Sequence, residues 1–123
     1  MTTKEIATKY VSLCKEQKND QILTELFAKD AVSVEAAAPP GGSAESKGLD
    51  AIRGKSKWWT ENHTVHKAVV EGPFPNGDRF CVRFSYDITF KPDGSRRQMD
   101  EVGLFTVAND RIVREEFFYV TGG

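Results

Sequence analysis

A chain of 123 residues, 39% hydrophobic and 28% charged, has enough core-forming side chains for one soluble globule and too many for a disordered polymer. Its 17 basic and 18 acidic side chains leave a net charge of −1, which argues against the clustered basic excess of a nucleic-acid binder. No run approaches the roughly 20 apolar residues of a membrane span, and Met1-Thr2-Thr3-Lys4-Glu5 has no apolar leader core. The two cysteines, Cys14 and Cys81, are too few for a disulfide framework and fit reduced thiols, so the expectation is one cytoplasmic domain over residues 1–123.

Thr2 and Glu5 have capping-box spacing and open a helix whose inner stripe is Ile6, Tyr10, Leu13 and Gln17, widened by Ala7, Val11 and Cys14. Asn19-Asp20 interrupts it and can cap a second, short helix over 21–27. Val32 to Glu35 reads as a short strand. Residues 36–48 are rich in Ala, Pro and Gly; a loop of that length suggests a mobile flap. A third helix restarts at Gly48 and runs to about Asn62, with Ile52, Ser56 and Trp59 on one face; Trp58 points elsewhere and is expected to be partly exposed. Val65 to Gly72 reads as a strand, and Pro73 to Asp78 as a turn.

Arg79 to Phe90 alternates strictly: Phe80, Val82, Phe84, Tyr86, Ile88 and Phe90 share one face, the mark of a half-buried strand. Lys91-Pro92-Asp93-Gly94-Ser95 is turn chemistry, with Arg96-Arg97 read as part of the hairpin turn. Gln98 to Ala108 and Ile112 to Val120 follow as strands, broken at Asn109-Asp110. Helices segregated beside an antiparallel meander make an α+β fold.

The order of these elements, the stretch Leu26-Phe-Ala-Lys-Asp-Ala-Val-Ser-Val-Glu35, the helix opening Gly48-Leu-Asp-Ala-Ile52 and the ending Leu104-Phe-Thr-Val-Ala-Asn-Asp-Arg-Ile-Val-Arg-Glu-Glu-Phe-Phe-Tyr119 resemble the nuclear transport factor 2-like superfamily. More narrowly they resemble its SnoaL-like branch, relatives of ketosteroid isomerases, polyketide cyclases and limonene-epoxide hydrolases. The resemblance covers nearly the whole chain. It implies a cone-shaped, curved, mixed or antiparallel sheet wrapped around three N-terminal helices, the NTF2-like or cystatin-like fold, with an apolar cavity at one end. The scaffold hosts enzymes, binding modules and association domains alike, so the resemblance implies fold more than reaction.

Three carboxylates fall on positions read as inward: Glu35 at the end of the first strand, Glu101 in phase with Met99, Gly103, Phe105 and Val107, and Glu115 in phase with Val113, Phe117 and Tyr119 unless a bulge shifts that register. A carboxyl in an apolar pocket has a raised pKa, which suits it to general acid–base work near neutrality. Compared with the ketosteroid isomerases, Tyr10 matches the helix tyrosine that donates to the oxyanion and Glu35 the proton-shuttling aspartate. The protonated aspartate that completes their oxyanion hole falls on Gly103, which has no side chain. The resemblance therefore implies Glu35 and Tyr10 as catalytic candidates; Glu101, two residues from Gly103 on the same face, is the third candidate and, when protonated, the substitute for the missing donor. Trp59, Phe84, Tyr86, Phe105, Phe117 and Tyr119 are the expected walls for a small hydrophobic or carbonyl-bearing molecule.

His63 and His66 stand at a helix-to-strand join with no cysteine nearby in sequence, which argues against a metal site, and no dinucleotide or phosphate-loop motif occurs. The expectation is thus chemistry without a cofactor (isomerisation, cyclisation or hydration), or a ligand-binding or protein-association module on the same scaffold. The other sheet face, with Cys81, Val102, Leu104, Ala108, Ile112, Phe118 and Val120 among its charges, reads as too apolar for a solvated surface and points to a homodimer packed sheet to sheet.

Overall fold

The computed structural model describes residues 1–121 and places three helices against one face of a six-stranded sheet. Helix α1, Thr3–Lys15, begins with the full capping box: the Thr2 hydroxyl accepts from the Glu5 amide (3.2 Å) while the Glu5 carboxylate accepts from the Thr2 amide (2.9 Å). It buries Ile6, Ala7, Tyr10, Val11 and Leu13. Helix α2, Asn19–Leu26, starts two residues before the expected 21–27: Asn19 and Asp20 form its first turn, and Lys18 is a cap residue without a side-chain bond. Asp20 there pairs with Arg53 of the third helix. The helix ends at Leu26 because Phe27 is already extended (φ −90°, ψ 146°).

Strand β1 therefore spans Phe27–Val34, earlier than the Val32 start expected from sequence. The loop over 36–48 is shortened by strand β2, Glu45–Lys47, which pairs antiparallel with β1 and covers its otherwise open edge. Helix α3, Leu49–Asn62, follows. Strand β3, His63–Asn76, runs through the Pro73 to Asn76 segment read as a turn. Its irregularity between Glu71 and Phe74 absorbs Gly72 and Pro73 without ending the pairing with β4, and the turn itself is only Gly77 and Asp78. Strands β4, Arg79–Phe90, β5, Ser95–Ala108, and β6, Arg111–Phe118, complete the meander. Arg96 and Arg97 belong to β5, not to the turn, and Arg96 holds Asp87 across the strands through two hydrogen bonds of 3.0 and 2.8 Å.

The sheet is mixed, in the order β2-β1-β6-β5-β4-β3, with only β1 and β6 parallel. Its shifts of register along β3, β6 and β1 curve it around α1. The core is the inner face of β4, β5 and β6 against α1 and α2: Phe80, Val82, Phe84, Phe105 and Ile112 pack on Ile6, Tyr10, Leu23 and Leu26. Ile112, which simple alternation puts on the outer face, is fully buried, because the bulge opposite Thr106 and Val107 changes the parity of β6 between Ile112 and Arg114.

Candidate active site

Where the sheet curves away from the helices, a pocket of about 180 Å³ remains open to solvent at one end. Its walls come from four directions. Tyr10 and Cys14 descend from α1, Ile22 and Leu23 from α2, Ile52, Lys55 and Trp59 from α3, and the sheet contributes Phe84, Tyr86, Met99, Glu101, Glu115 and Phe117, with Glu35 just past β1. Strand pairing explains this set. Phe84 lies opposite Glu101, Tyr86 opposite Met99, Gly103 opposite Phe117, and Ser33 beside Glu115, so one inward face runs from β4 across β5 and β6 to β1.

The structure brings Glu35, Glu101 and Tyr10 to this one pocket, together with Trp59, Phe84, Tyr86 and Phe117. Two residues from the expected wall stand elsewhere. Phe105 lies beneath the floor: it is fully buried, stacked on Phe80 at 4.8 Å and tilted against Tyr10 at 4.5 Å, and does not line the cavity. Tyr119 lies beyond β6 at the rim, its hydroxyl donating to Glu35 Oε1 at 3.5 Å. Trp58 is 55% exposed, on the other side of α3 from the pocket.

Glu101 sits mid-strand among apolar neighbours and makes no side-chain hydrogen bond among the described residues. Burial, reinforced by the negative charges of Glu35 and Glu115 and opposed by Lys55, pushes its carboxyl up to about 7. Glu115 is buried more deeply. Desolvation raises it to about 6, against the neighbouring Ser33 hydroxyl and the charge of Lys55, which both favour the ionised form. The bulge that shifts β6 thus leaves Glu115 inside the molecule.

Tyr10 and Cys14 stand one turn apart on α1 and both line the pocket. Burial and the nearby Cys14 and Glu115 hold Tyr10 well above the usual phenol range, so it remains a neutral O–H donor. Burial likewise pushes the Cys14 thiol up to about 12, which makes it unreactive at neutral pH. Tyr86 is raised by burial and by Glu101.

Gly103 occupies the place that the ketosteroid isomerase comparison gives to an acid. A Cβ there would lie 2.7 Å from the Phe105 ring and 3.3 Å from Phe117. The aromatic floor fills the volume that side chain would need.

Two residues absent from the sequence reading join the site. Lys55 Nζ donates to Glu35 Oε2 at 3.2 Å and to the Ser33 hydroxyl, and lies 5.4 Å from the centre of the Phe117 ring. Ser33 is fully buried. The signals were present: Lys55 stands three residues after Ile52 and four before Trp59, a charge on the inner stripe of α3, and Ser33 shares the parity of Glu35.

The histidines do not converge on a metal. His63 stacks on Trp59 (4.3 Å) with its Nδ1 2.7 Å from the Trp59 carbonyl oxygen, whereas His66 is bonded to Thr89. No cluster of potential metal ligands occurs among the described residues.

Three helices on an open, curved, mixed sheet define the NTF2-like, cystatin-like class of α+β proteins. Within that class, a model of the SnoaL-like domain matches residues 1–119. A solved structure from Mesorhizobium loti, provisionally named a SnoaL-like polyketide cyclase with carbohydrate phosphatase beside it, is 47% identical over 97% of this chain and 100% of its own, with a TM-score of 0.91. The chain belongs to the SnoaL-like family. A Bacillus subtilis protein provisionally named an isomerase (19% identity, 98% of this chain and 90% of that one, TM-score 0.78) shares the fold. So does an NTF2-like protein from Burkholderia thailandensis (16%, 98% and 92%, TM-score 0.82). No curated protein sequence matches the chain.

Proposed function

We propose that this pocket binds a small, largely apolar molecule bearing a carbonyl group and catalyses proton transfer on it without a cofactor, as an isomerase, cyclase or hydratase. The observation that carries the reading is Glu101: an unbonded carboxyl between aromatic walls, poised near 7, can take a proton and return it at physiological pH. In the proposed reaction the ionised Glu101 accepts the proton α to the carbonyl, the electron pair moves onto the carbonyl oxygen, and Tyr10 donates a hydrogen bond that orients the ligand. Reprotonation by Glu101 at another carbon isomerises the molecule; attack of the enolate on a second carbonyl of the same molecule cyclises it, and the alkoxide formed takes the proton back from Glu101. Glu35, with the Tyr119 hydroxyl at one oxygen and Lys55 at the other, is the second candidate base.

The pocket does not suit a phosphate ester, although the Mesorhizobium protein's name includes a carbohydrate phosphatase. Three carboxylates around a single ammonium give the wrong charge for a phosphate ester, which needs cationic partners. The expected ligand is neutral or cationic.

The test is deuterium exchange from solvent into the α-position of small enolisable carbonyl compounds, followed by proton NMR with the full chain and with Glu101→Gln. Exchange that is fast with the native chain and lost in the variant supports the reading; equal exchange in both removes it. A second reading, a non-catalytic binding module, is favoured by the missing donor at Gly103 and predicts ligand-induced rises in Tm with no exchange.

We further propose a cytoplasmic homodimer formed through the outer sheet face. The free thiols of Cys14 and Cys81 suit a reducing compartment, and no helix among the described residues is long and apolar enough to cross a membrane. The face is less apolar than alternation suggests, since Ile112 is withdrawn from it. Val102 and Phe118, neighbours across β5 and β6, remain exposed there with Val69. Light scattering on the eluting protein should give twice the chain mass, and Phe118→Asp should halve it.

A further inference from the structure

The ammonium of Lys55 is the only cation lining the pocket among the described residues, and it stands at a junction of three elements. From α3 it donates to Glu35, just past β1, and to Ser33 within β1, and it covers the ring of Phe117 on β6. Ser33 in turn stands beside Glu115, its register partner across the parallel pair of β1 and β6, and its hydroxyl favours the ionised form of Glu115. Lys55 therefore reaches Glu35 directly and Glu115 through one hydroxyl, while Glu101 has neither contact. A surface lysine would place its head in water; this one is 28% exposed and has an anion, a hydroxyl and a ring face as partners.

Resting on the acid–base reading of the pocket, we propose that Lys55 is the positioning residue of this site: it clamps Glu35 and, through Ser33, Glu115, and so leaves Glu101 as the carboxyl free to exchange a proton with the ligand. The pair divides the labour electrostatically as well. Burial raises Glu101 most; Glu35 disfavours its ionised form further, and Lys55 partly offsets that. The other titratable groups around Glu101 are Glu115 on β6, Tyr86 on β4, Tyr119 at the rim, and Tyr10 and Cys14 on α1. The phenols and the thiol are all raised, leaving Glu35, Glu115 and Lys55 as the charges that matter at neutral pH.

The test needs no substrate. Carbon-detected NMR titration of the glutamate carboxyl groups in the full chain is compared among the native protein, Lys55→Met, Glu35→Gln and the double variant. Lys55→Met moves the apparent midpoint of Glu101 upward by about one pH unit, Glu35→Gln moves it downward by at least as much, and the double variant falls between the two single variants. Lys55→Arg keeps the charge and leaves the midpoint near its native value. If Lys55→Met fails to fold for want of a partner to Glu35, Glu35→Gln and the double variant carry the test: the first lowers the Glu101 midpoint, and the second, which orphans no charge, titrates above the first. A Glu101 midpoint that stays put in both single variants, or a double variant shifted as far as Lys55→Met, overturns the proposal. These titrations stand whether or not α-proton exchange is found, so failure of the clamp and failure of the catalytic reading are separately visible. Where exchange is found, Lys55→Met should also displace its pH profile toward alkaline pH, which loss of packing alone would not do.

Discussion

Glu101 is the residue on which the chemistry turns, and its environment makes a signed prediction. A base that must be ionised works better as pH rises through its midpoint, so kcat/KM for proton abstraction should climb across the region near 7 and then level off. Glu101→Gln should lower the rate by about 10²–10⁴ and remove that limb, a result that steady-state rates between pH 5 and 9 would check. Tyr10→Phe should cost less, because the ring that packs at 4.5 Å on Phe105 is kept and only an orienting donor is lost; a KM rise with a smaller fall in kcat is the expected pattern. The inward parity of Glu101 was legible in its alternation with Met99, Gly103 and Phe105. Lys55 was harder to read, because a lysine on a helix is ordinarily a solvated head on an apolar stem, and only its place on the Ile52–Trp59 stripe set it apart.

At the scale of elements, β5 owes its shape to a glycine that is needed for space, not for backbone freedom. The Phe105 ring that a Cβ at Gly103 would strike is fully buried and stacked on Phe80, so it cannot swing away. Gly103→Ala should therefore destabilise the fold by about 1–3 kcal/mol, read as a lower denaturant midpoint with an unchanged slope. The same crowding explains why this pocket lacks an acid at that position. Strand β4 was fully legible, since six apolar residues in strict alternation admit one reading. Strand β6 was not, because a bulge inverts parity at Ile112 with no Gly or Pro to announce it. The far half of β3 was hidden for the opposite reason: Gly72-Pro73 reads as a turn, yet β4 continues opposite and supplies partners for Phe74 to Asn76.

At the scale of the whole molecule, the buried carboxyl groups should shape how stability depends on pH. Glu101 and Glu115 have folded-state pKa values raised above the ordinary carboxylate range, so the native state holds protons that the unfolded chain releases. Their effect is absent below the unfolded pKa of about 4.3 and becomes a growing loss of stability as pH rises through about 6 and then 7. The surface carboxylates run the other way. Glu5, held down by Thr2, Glu25 by Gln21 and Lys9, Asp87 by Arg96, and Asp93 by Ser95 all favour folding above their unfolded pKa and lose that contribution as the solution is acidified further. The two sets leave a maximum on the acid side of neutrality, near pH 5, and a decline toward pH 8. Glu101→Gln should flatten that decline, being little different from the native chain at pH 5 and more stable by about 2–3 kcal/mol at pH 8. Urea unfolding at a series of pH values measures both curves. A native stability that is flat or rising from pH 5 to 8 would mean that these carboxyl groups are hydrated in solution, and the dry pocket on which the proposed chemistry depends would go with them.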